Sequence, residues 1–248
     1  TTRSGREPPV SSDPLNQPPL RSDRNLISGD AALRDALQRY GATSEDISVG
    51  LAEHAGWLGL ACTAEAARAA NRQPPELRTF DRGGRRIDEV AFHPAYHEFL
   101  RRGLSAGYTA APWDGSHAGH VHHAALVYLH SQIEPGTCCP MTMTYAAVPV
   151  LRGCSDLAPW ADKAVSRDYD PSLRPVAAKA GATLGMAITE KQGGSDLRAT
   201  STRAELTGDG WRLFGHKWFC SAPMSDAFLT LAQTPAGLSC FLVPRWTD

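Results

Sequence analysis

Residues 187–199 read Ala-Ile-Thr-Glu-Lys-Gln-Gly-Gly-Ser-Asp-Leu-Arg-Ala. Their first three residues are the end of a short apolar segment, residues 184–189. The apolar segment predicts a buried strand, and the adjacent glycines Gly193 and Gly194 predict that the chain turns after it. Glycine lets backbone N–H groups approach a ligand closely, and successive N–H groups suit the polar edge or the phosphates of a dinucleotide. The stretch therefore predicts a cofactor-binding loop at the end of a strand.

An ordinary strand-to-turn corner would also contain two glycines. It would not explain the positions of Glu190, Ser195 and Asp196, whereas Thr189 and Ser195 would flank a cofactor loop with hydroxyls that donate and accept. We therefore prefer the cofactor loop. Lysines beside such loops are ordinarily solvated, so we base no mechanism on the side chains of Lys191 or Lys217.

The residues after this loop predict a small sheet. Residues 200–206 and 211–221 alternate on either side of an Asp-Gly turn, which predicts an antiparallel hairpin whose returning strand reaches Ser221. Alternation along that strand would place Trp218 and Phe219 on opposite faces. Residues 226–233 and 238–245 predict two further strands.

Helical signals dominate the first two thirds of the chain. Asp30 can cap a helix that Gly41 ends. Further helices are predicted over residues 44–60, 63–71, 94–103, 117–132, 140–153 and 157–166. The proline-rich residues 1–23 predict an extended or poorly ordered segment. We expect three parts: residues 1–25 extended, residues 26–180 helical, and residues 181–248 a β-domain.

Several of these segments together resemble the acyl-CoA dehydrogenase superfamily of flavoproteins. In that family a small residue, an aliphatic residue, Ser or Thr, Glu, then Gly, Ser or Thr and Asp recur at the spacing found in residues 187–196. The resemblance narrows to the AidB-like branch through residues 71–77, 84–95, 139–144, 189–196 and 215–219. It runs from about residue 70 to the end of the chain.

The resemblance implies an α+β fold and FAD as the cofactor. The expected fold is an N-terminal all-helical domain followed by a small antiparallel β-barrel or sandwich, without residues for the C-terminal four-helix bundle of the family. The residues that it assigns to FAD binding are Met186, Ala187, Ile188, Thr189, Glu190, Lys191, Gln192, Gly193, Gly194, Ser195, Phe219, Cys220 and Ser221. Ser195 is also assigned to the substrate. The family ordinarily has Trp where this chain has Phe219, which keeps an apolar ring for stacking.

The resemblance also implies an FAD-dependent oxidoreductase that converts an acyl-CoA thioester to its trans-enoyl form. In the family a carboxylate removes the α-proton while hydride leaves the β-carbon for the flavin. That carboxylate lies in the C-terminal bundle, so no catalytic residue is assigned here. Glu190 belongs to the flavin loop and is not the base.

Two alternatives remain open. AidB-like proteins bind flavin with little turnover and are associated with DNA protection against alkylation, through a C-terminal region that follows this chain. The same fold could instead support a flavin-dependent oxidase or monooxygenase. Within this chain the arginines at 82, 85, 86, 101 and 102 form a modest basic cluster, which we expect to be solvated.

The expected partners are an acyl-CoA or a related small molecule and a second copy of the chain in a dimer or tetramer, or a separate C-terminal chain. The chain stops soon after a strand, which predicts a further segment to cover the sheet. A net charge of −1 gives no electrostatic argument for nucleic acid or a membrane surface. Six cysteines without CxxC spacing predict buried or free thiols in a reducing compartment, and we expect the cytoplasm.

Five of the nine histidines lie in or beside one predicted helix: His117, His120, His122, His123 and His130. The spacing of the first two could suit a metal, but no carboxylate or Cys lies at helical spacing among them. We therefore predict no metal and a partly exposed helix start. For Met141 and Met143 we favour the helix core.

Overall fold

The computed structural model describes residues 14–18, 21–42, 45–115 and 117–246, except for the side chains of residues 46–48. The α-helices in these ranges are α1 (Ala31–Arg39), α2 (Glu45–Leu58), α3 (Ala61–Arg72), α4 (Pro94–Ser105), α5 (Gly119–Ser131), α6 (Cys138–Arg152) and α7 (Ala158–Ala164). Each confirms a predicted helix. In this part of the chain no helix has the length and apolarity needed to cross a membrane.

The first helix shows how local sequence sets an element's ends. The Asp30 carboxylate accepts a hydrogen bond from the Leu33 N–H at 2.9 Å and so caps α1. Gly41 adopts a φ of 78°, a conformation that glycine adopts without steric cost. Both ends of the helix were predicted for these reasons.

Seven strands lie in the described residues: β1 (Glu76–Phe80), β2 (Arg86–Ala91), β3 (Leu184–Ala187), β4 (Arg203–Thr207), β5 (Gly210–Phe214), β6 (Ala227–Thr234) and β7 (Gly237–Pro244). The antiparallel β1–β2 hairpin lies inside the region expected to be all-helical, which is a correction. Most side chains of β1 are exposed, so the sequence lacks the alternation that would have revealed it.

The sheet formed by β3 to β7 is mixed rather than antiparallel as expected. Strands β3 and β4 both run parallel to β6, whereas β5 and β7 pair antiparallel with β4 and β6. Along one edge of β6, Ala187 pairs with Thr230 and Arg203 with Gln233. Strands β3 and β4 therefore lie one after the other along the same edge of β6. The chain between them must leave this edge and return to it.

Two clusters of buried side chains stabilise the fold. One fills the helical region around Phe99, Leu126 and Met141. The other joins α6 and α7 to the sheet and includes Leu151 and Leu184. The domain boundary at residue 180 stays a prediction, because this second cluster contains residues from both of its sides.

A side chain of α6 also fixes the start of β3. The Thr144 hydroxyl donates to the Pro140 carbonyl at 2.7 Å and accepts from the Leu184 N–H at 2.9 Å. Leu184 thereby gains a partner for a buried backbone donor. The helical region and the sheet thus share a hydrogen bond as well as a core.

The expectation of an extended segment over residues 1–25 falls mostly on residues 1–13, 19 and 20, which lie outside the described ranges. Its last residues are held by helices. The Asp23 carboxylate accepts from the Ala61 N–H at 3.0 Å, and the Asn25 amide donates to the Ala52 carbonyl at 2.7 Å. These bonds attach the end of the segment to α2 and α3, and the expectation of an extended segment stays a prediction.

The histidines of α5 are more buried than predicted. His120 and the preceding His117 are exposed, whereas His122, His123 and His130 are buried. In the described residues no group of three or more His, Cys, Asp or Glu side chains could hold a metal ion. All six cysteines are free thiols.

A buried hydrogen-bond chain begins at His54. Its Nε2 lies 3.2 Å from His130 Nδ1, and His130 Nε2 lies 2.9 Å from Thr137 Oγ1. Because the Thr137 hydroxyl donates to the Glu134 carboxylate at 2.6 Å, it must accept from His130, and His130 must accept from His54. Burial lowers the pKa of His54 to about 4 and that of His130 to about 3, so both rings are neutral.

We predict that this pair makes the protein less stable in mild acid. The folded-state pKa values lie below the unfolded value near 6.5, so the two histidines contribute fully to stability above that pH and lose this contribution as the pH falls from the unfolded value toward the folded ones. In that range each histidine lowers the free energy of unfolding by about 1.4 kcal/mol per pH unit. Urea unfolding at about pH 7 and about pH 5 measures the loss.

His54→Gln keeps a donor to His130 but removes one titrating group, so it should lose less stability between the two pH values than the unchanged protein. Burial also lowers the pKa values of His97, His122 and His123, and their contribution is common to both proteins. His216→Gln, at an exposed position, is the control and should behave like the unchanged protein. An equal loss in His54→Gln and in the control would contradict the assignment.

Candidate functional site

The cofactor loop, residues 188–202, connects β3 to β4. The residues that flank it, Ala187 and Arg203, pair with Thr230 and Gln233. These two partners are only three positions apart on β6. Three positions along a strand span about 10 Å. Fifteen residues therefore project from one edge of the sheet between two closely spaced anchors.

Glu190, which is 3% exposed, joins the beginning and the end of the loop through its side chain. Its Oε1 accepts from Lys217 Nζ (2.8 Å), Thr202 N (3.0 Å) and Thr202 Oγ1 (2.5 Å), and its Oε2 from Gln192 Nε2 (2.7 Å), Ser201 N (2.7 Å) and Ser201 Oγ (2.6 Å). The carboxylate thus receives six hydrogen bonds from three parts of the chain: the beginning of the loop, the end of the loop and the segment after β5.

The electrostatics of this group follow from its surroundings. Burial alone would raise the pKa of the Glu190 carboxyl, but the hydrogen bonds from Lys217 and from the hydroxyls outweigh it and hold the pKa well below its usual range. Glu190 is therefore ionised at neutral pH. Its side chain points into the loop and holds it together, while its backbone N–H and carbonyl pair with the carbonyl and N–H of Gly193 at 3.1 and 3.0 Å. The carboxylate is therefore closed to a ligand.

Lys217 corrects the expectation of a solvated lysine. Its side chain is 12% exposed and forms an ion pair with Glu190. Lys191, in contrast, is exposed as expected. Lys217 thereby ties the segment 215–221 to the cofactor loop.

Glycines allow the close contacts within this arrangement. A Cβ on Gly194 would lie 2.7 Å from Thr189 Oγ1, and one on Gly215 would lie 2.2 Å from Thr202 Oγ1. Gly193 adopts a φ of 145° with open space where its Cβ would be. The first two positions need glycine for packing, whereas Gly193 needs it for backbone conformation and leaves its outer side unobstructed.

The segment 215–221 is not the strand that was predicted, because β5 ends at Phe214. Lys217 turns inward, and Phe219 has a φ of 60°, which interrupts an extended backbone. Alternation therefore does not separate Trp218 and Phe219. They are 46% and 77% exposed, and their rings meet edge to face at 5.7 Å.

This segment and the cofactor loop meet through the backbone. The Trp218 N–H donates to the Thr189 carbonyl at 2.8 Å. The bond places the end of β3 beside the exposed ring of Phe219, with Cys220 and Ser221 following, both exposed. The structure thus brings together the two groups of residues assigned to one site.

Hydrogen-bonding groups remain free on the outside of this junction. Among the described residues, the hydroxyls of Thr189, Ser195 and Ser221 have no hydrogen-bond partner, and neither have the N–H groups of Gly194 and Ser195. Ser195 and Ser221 are exposed and Thr189 is half-buried. These groups are available to a polar ligand.

The other assigned residues have mainly structural surroundings. Met186 packs against the second core, and the Ala187 carbonyl accepts from the Thr230 hydroxyl at 2.6 Å. Ile188 is half-buried, and the Gln192 amide is held by Glu190 and by the Ala199 carbonyl at 3.2 Å.

Sequence reasoning did not assign Ser201, Thr202 or Lys217 to the site. They lie 11, 12 and 27 residues after Glu190, and no periodicity links those positions. A run of three hydroxyl residues at 200–202 was a possible signal.

Two family models match the chain. The AidB N-terminal domain of adaptive response proteins matches residues 16–171, and the acyl-CoA dehydrogenase middle domain matches residues 185–248. Over 237 residues the chain is 44% identical to the putative acyl-CoA dehydrogenase AidB of Escherichia coli (strain K12), covering 94% of the chain and 43% of that protein.

Solved structures agree with these matches. Caenorhabditis elegans ACDH-11, in complex with C11-CoA, has a TM-score of 0.75 at 25% identity and covers 95% of this chain and 42% of its own. The Bd2924 apo-form has a TM-score of 0.73 at 30% identity, and the match covers 92% of this chain and 47% of the Bd2924 chain. The chain spans less than half the length of the curated relatives that it matches.

We predict that Glu190→Gln strongly destabilises the protein. The change removes the buried charge opposite Lys217 and places an amide N–H₂ among donors, and breaking a buried pair costs about 3–5 kcal/mol. Glu205→Gln is the matched control, because Glu205 forms an exposed pair with Arg203 and should change stability by less than about 1 kcal/mol. Chemical unfolding of both variants checks this, and similar losses in the two would contradict the role given to Glu190.

Proposed function

Because the chain belongs to the AidB branch of the acyl-CoA dehydrogenase superfamily, we propose that the cofactor loop and the segment 215–221 hold the isoalloxazine ring of FAD. The observation that carries the proposal is the junction itself. It combines free hydroxyls and N–H groups with an exposed aromatic ring, all on a backbone fixed by Glu190.

The described residues fit such a ring. A flavin has an apolar face and a polar N–C=O edge, which need a stacking surface and hydrogen-bonding groups. Phe219 is 77% exposed and has a left-handed backbone conformation, a kind of strain that clusters at ligand-binding sites. Thr189 and Ser221 lie on the two connected segments and supply hydroxyls.

The proposed roles follow from these positions. Phe219 stacks on the ring, the hydroxyls of Thr189, Ser195 and Ser221 bind its polar edge, and the N–H groups of Gly194 and Ser195 add donors. The main chain of residues 186–193 and of Cys220 completes the wall. Glu190, Lys191 and Gln192 belong to this wall by their main chain.

We propose a two-electron oxidation of an acyl-CoA thioester as the reaction, and bound FAD supplies the electron acceptor. The name of the Escherichia coli relative and the C11-CoA complex of ACDH-11 support this substrate class. This chain's own contribution is to position the ring, to exclude water with Trp218 and Phe219, and to offer Ser195 to the substrate. The group that removes the α-proton is not assigned to any residue of this chain.

We predict that the purified protein shows a flavin absorption band, or gains one when FAD is added. Phe219→Ala should weaken FAD binding by about three- to ten-fold through the lost stacking contact. Phe214→Ala is the control, because Phe214 is also exposed but lies on β5, and it should leave the affinity unchanged. Absence of FAD binding, or equal affinities in the two variants, would refute the assignment.

The oxidoreductase proposal has its own test. Under anaerobic conditions, acyl-CoA thioesters of different chain length should bleach the flavin band of the loaded protein. A flavin that stays oxidised with the whole series would count against dehydrogenation while leaving the FAD site intact.

A further inference from the structure

A cavity lies where the β1–β2 hairpin meets the sheet domain. This hairpin cavity has a volume of about 410 Å³, within the range of small-molecule pockets. It is bounded by β2, the start of α4, residues 169–173 and the chain segments just before β3 and β6. Arg245 fixes one wall, since its guanidinium donates to the Asp88 carbonyl at 2.8 Å and the Met224 carbonyl at 3.2 Å.

The hairpin cavity is separate from the cofactor loop. It is lined by Thr183, which precedes β3, whereas the loop begins beyond the other end of that strand. Thr183 and Thr189 are six residues apart, on the order of 20 Å along an extended chain. A ligand of the loop and a ligand of this cavity can therefore be distinguished.

One wall of the cavity is aromatic. Phe92 and Tyr96 stack with ring centroids 3.9 Å apart, and Tyr169 stacks on His97, whose Nδ1 lies 2.8 Å from the Tyr169 hydroxyl. The Tyr96 hydroxyl, in contrast, has no hydrogen-bond partner among the described residues. Burial raises the pKa of Tyr96 above its usual value, so this hydroxyl is a neutral donor.

A buried ion pair also lines the cavity. Lys179 and Asp226 have side chains 5% and 8% exposed, and Lys179 Nζ lies 2.6 Å from Asp226 Oδ1. Asp226 Oδ2 accepts from the Thr183 N–H at 2.9 Å. In the described part of the chain Asp226 is the only acceptor for Lys179 Nζ, which leaves two of its three donors unfilled.

Unfilled donors on a buried ammonium group are unfavourable, and a buried ion pair adds little to stability compared with apolar residues of the same size. A role in packing alone therefore does not explain why the cavity is lined by the Lys179–Asp226 ion pair. An oxygen acceptor inside the cavity would satisfy Lys179 and Tyr96 together.

The charges around the cavity indicate what kind of acceptor fits. Its charged lining residues balance, three cationic against three anionic: Arg78, Lys179, Arg245, Glu89, Asp170 and Asp226. A ligand with a net charge would remain uncompensated there.

We propose that the hairpin cavity binds a small uncharged molecule with a planar or short aliphatic body and a carbonyl oxygen. The body lies against Phe92, Tyr96 and Tyr169. The carbonyl accepts from Lys179 and from Tyr96.

Benzamide is a suitable probe, because it combines a planar body with an uncharged carbonyl, and benzoate is its anionic counterpart. Saturation-transfer NMR on the full chain should show saturable benzamide binding that is stronger than benzoate binding. Absence of saturable benzamide binding would overturn the proposal, and so would tighter binding of benzoate, which would indicate an anion site.

Two variants locate the probe. Tyr96→Phe removes one hydroxyl and should weaken benzamide binding about five-fold, while Tyr128→Phe, at an exposed tyrosine bonded to Asp30, should not. Lys179→Met/Asp226→Asn removes the ion pair but keeps an acceptor for Thr183, and should weaken binding further. Unchanged binding in folded Tyr96→Phe would place benzamide elsewhere and overturn the proposal. FAD affinity should be the same in Tyr96→Phe and the unchanged protein, so the two sites fail or succeed separately.

Discussion

The ionised carboxylate of Glu190 is the interaction on which the geometry of the site depends. A fifteen-residue loop that leaves and rejoins one strand edge pays a loop-closure entropy and has few apolar side chains with which to offset it. A buried carboxylate is itself tolerated only when its hydrogen bonds are complete. Because its six donors come from three parts of the chain, the charge can be satisfied only when all three are in place.

This arrangement divides the loop into an inner and an outer side. The inner side uses Glu190, Ser201 and Thr202 for structure. On the outer side the hydroxyls and N–H groups have no hydrogen-bond partner in the described residues, and the neighbouring Phe219 ring is largely exposed. Beneath the loop, β3 is anchored to α6 through Thr144 and through a shared core. The groups proposed to bind the cofactor therefore lie on a backbone that is held from below, and a supported backbone is the condition for precise placement of a ligand.

The sequence indicated much of this fold and some of the site. The seven helices and the strands β3 to β7 were predictable because caps, glycines and apolar spacing are local signals. Parallel pairing of β3 and β4 with β6 was not, since it depends on a chain path that no local pattern records. The inward turn of Lys217 was missed for the same reason, because its partner Glu190 lies 27 residues earlier. The assigned site residues themselves remain a proposal that rests on the resemblance and on the geometry of the junction.

Amide hydrogen exchange tests the role of Glu190 most directly. If its carboxylate joins the three chain segments, the N–H groups of Ser201, Thr202 and Trp218 should be protected in the native protein and should lose protection together in Glu190→Gln, while amides in the middle of β6 keep theirs. If these three amides exchange independently, or remain protected in the variant, the segments are held by other contacts and the account is wrong.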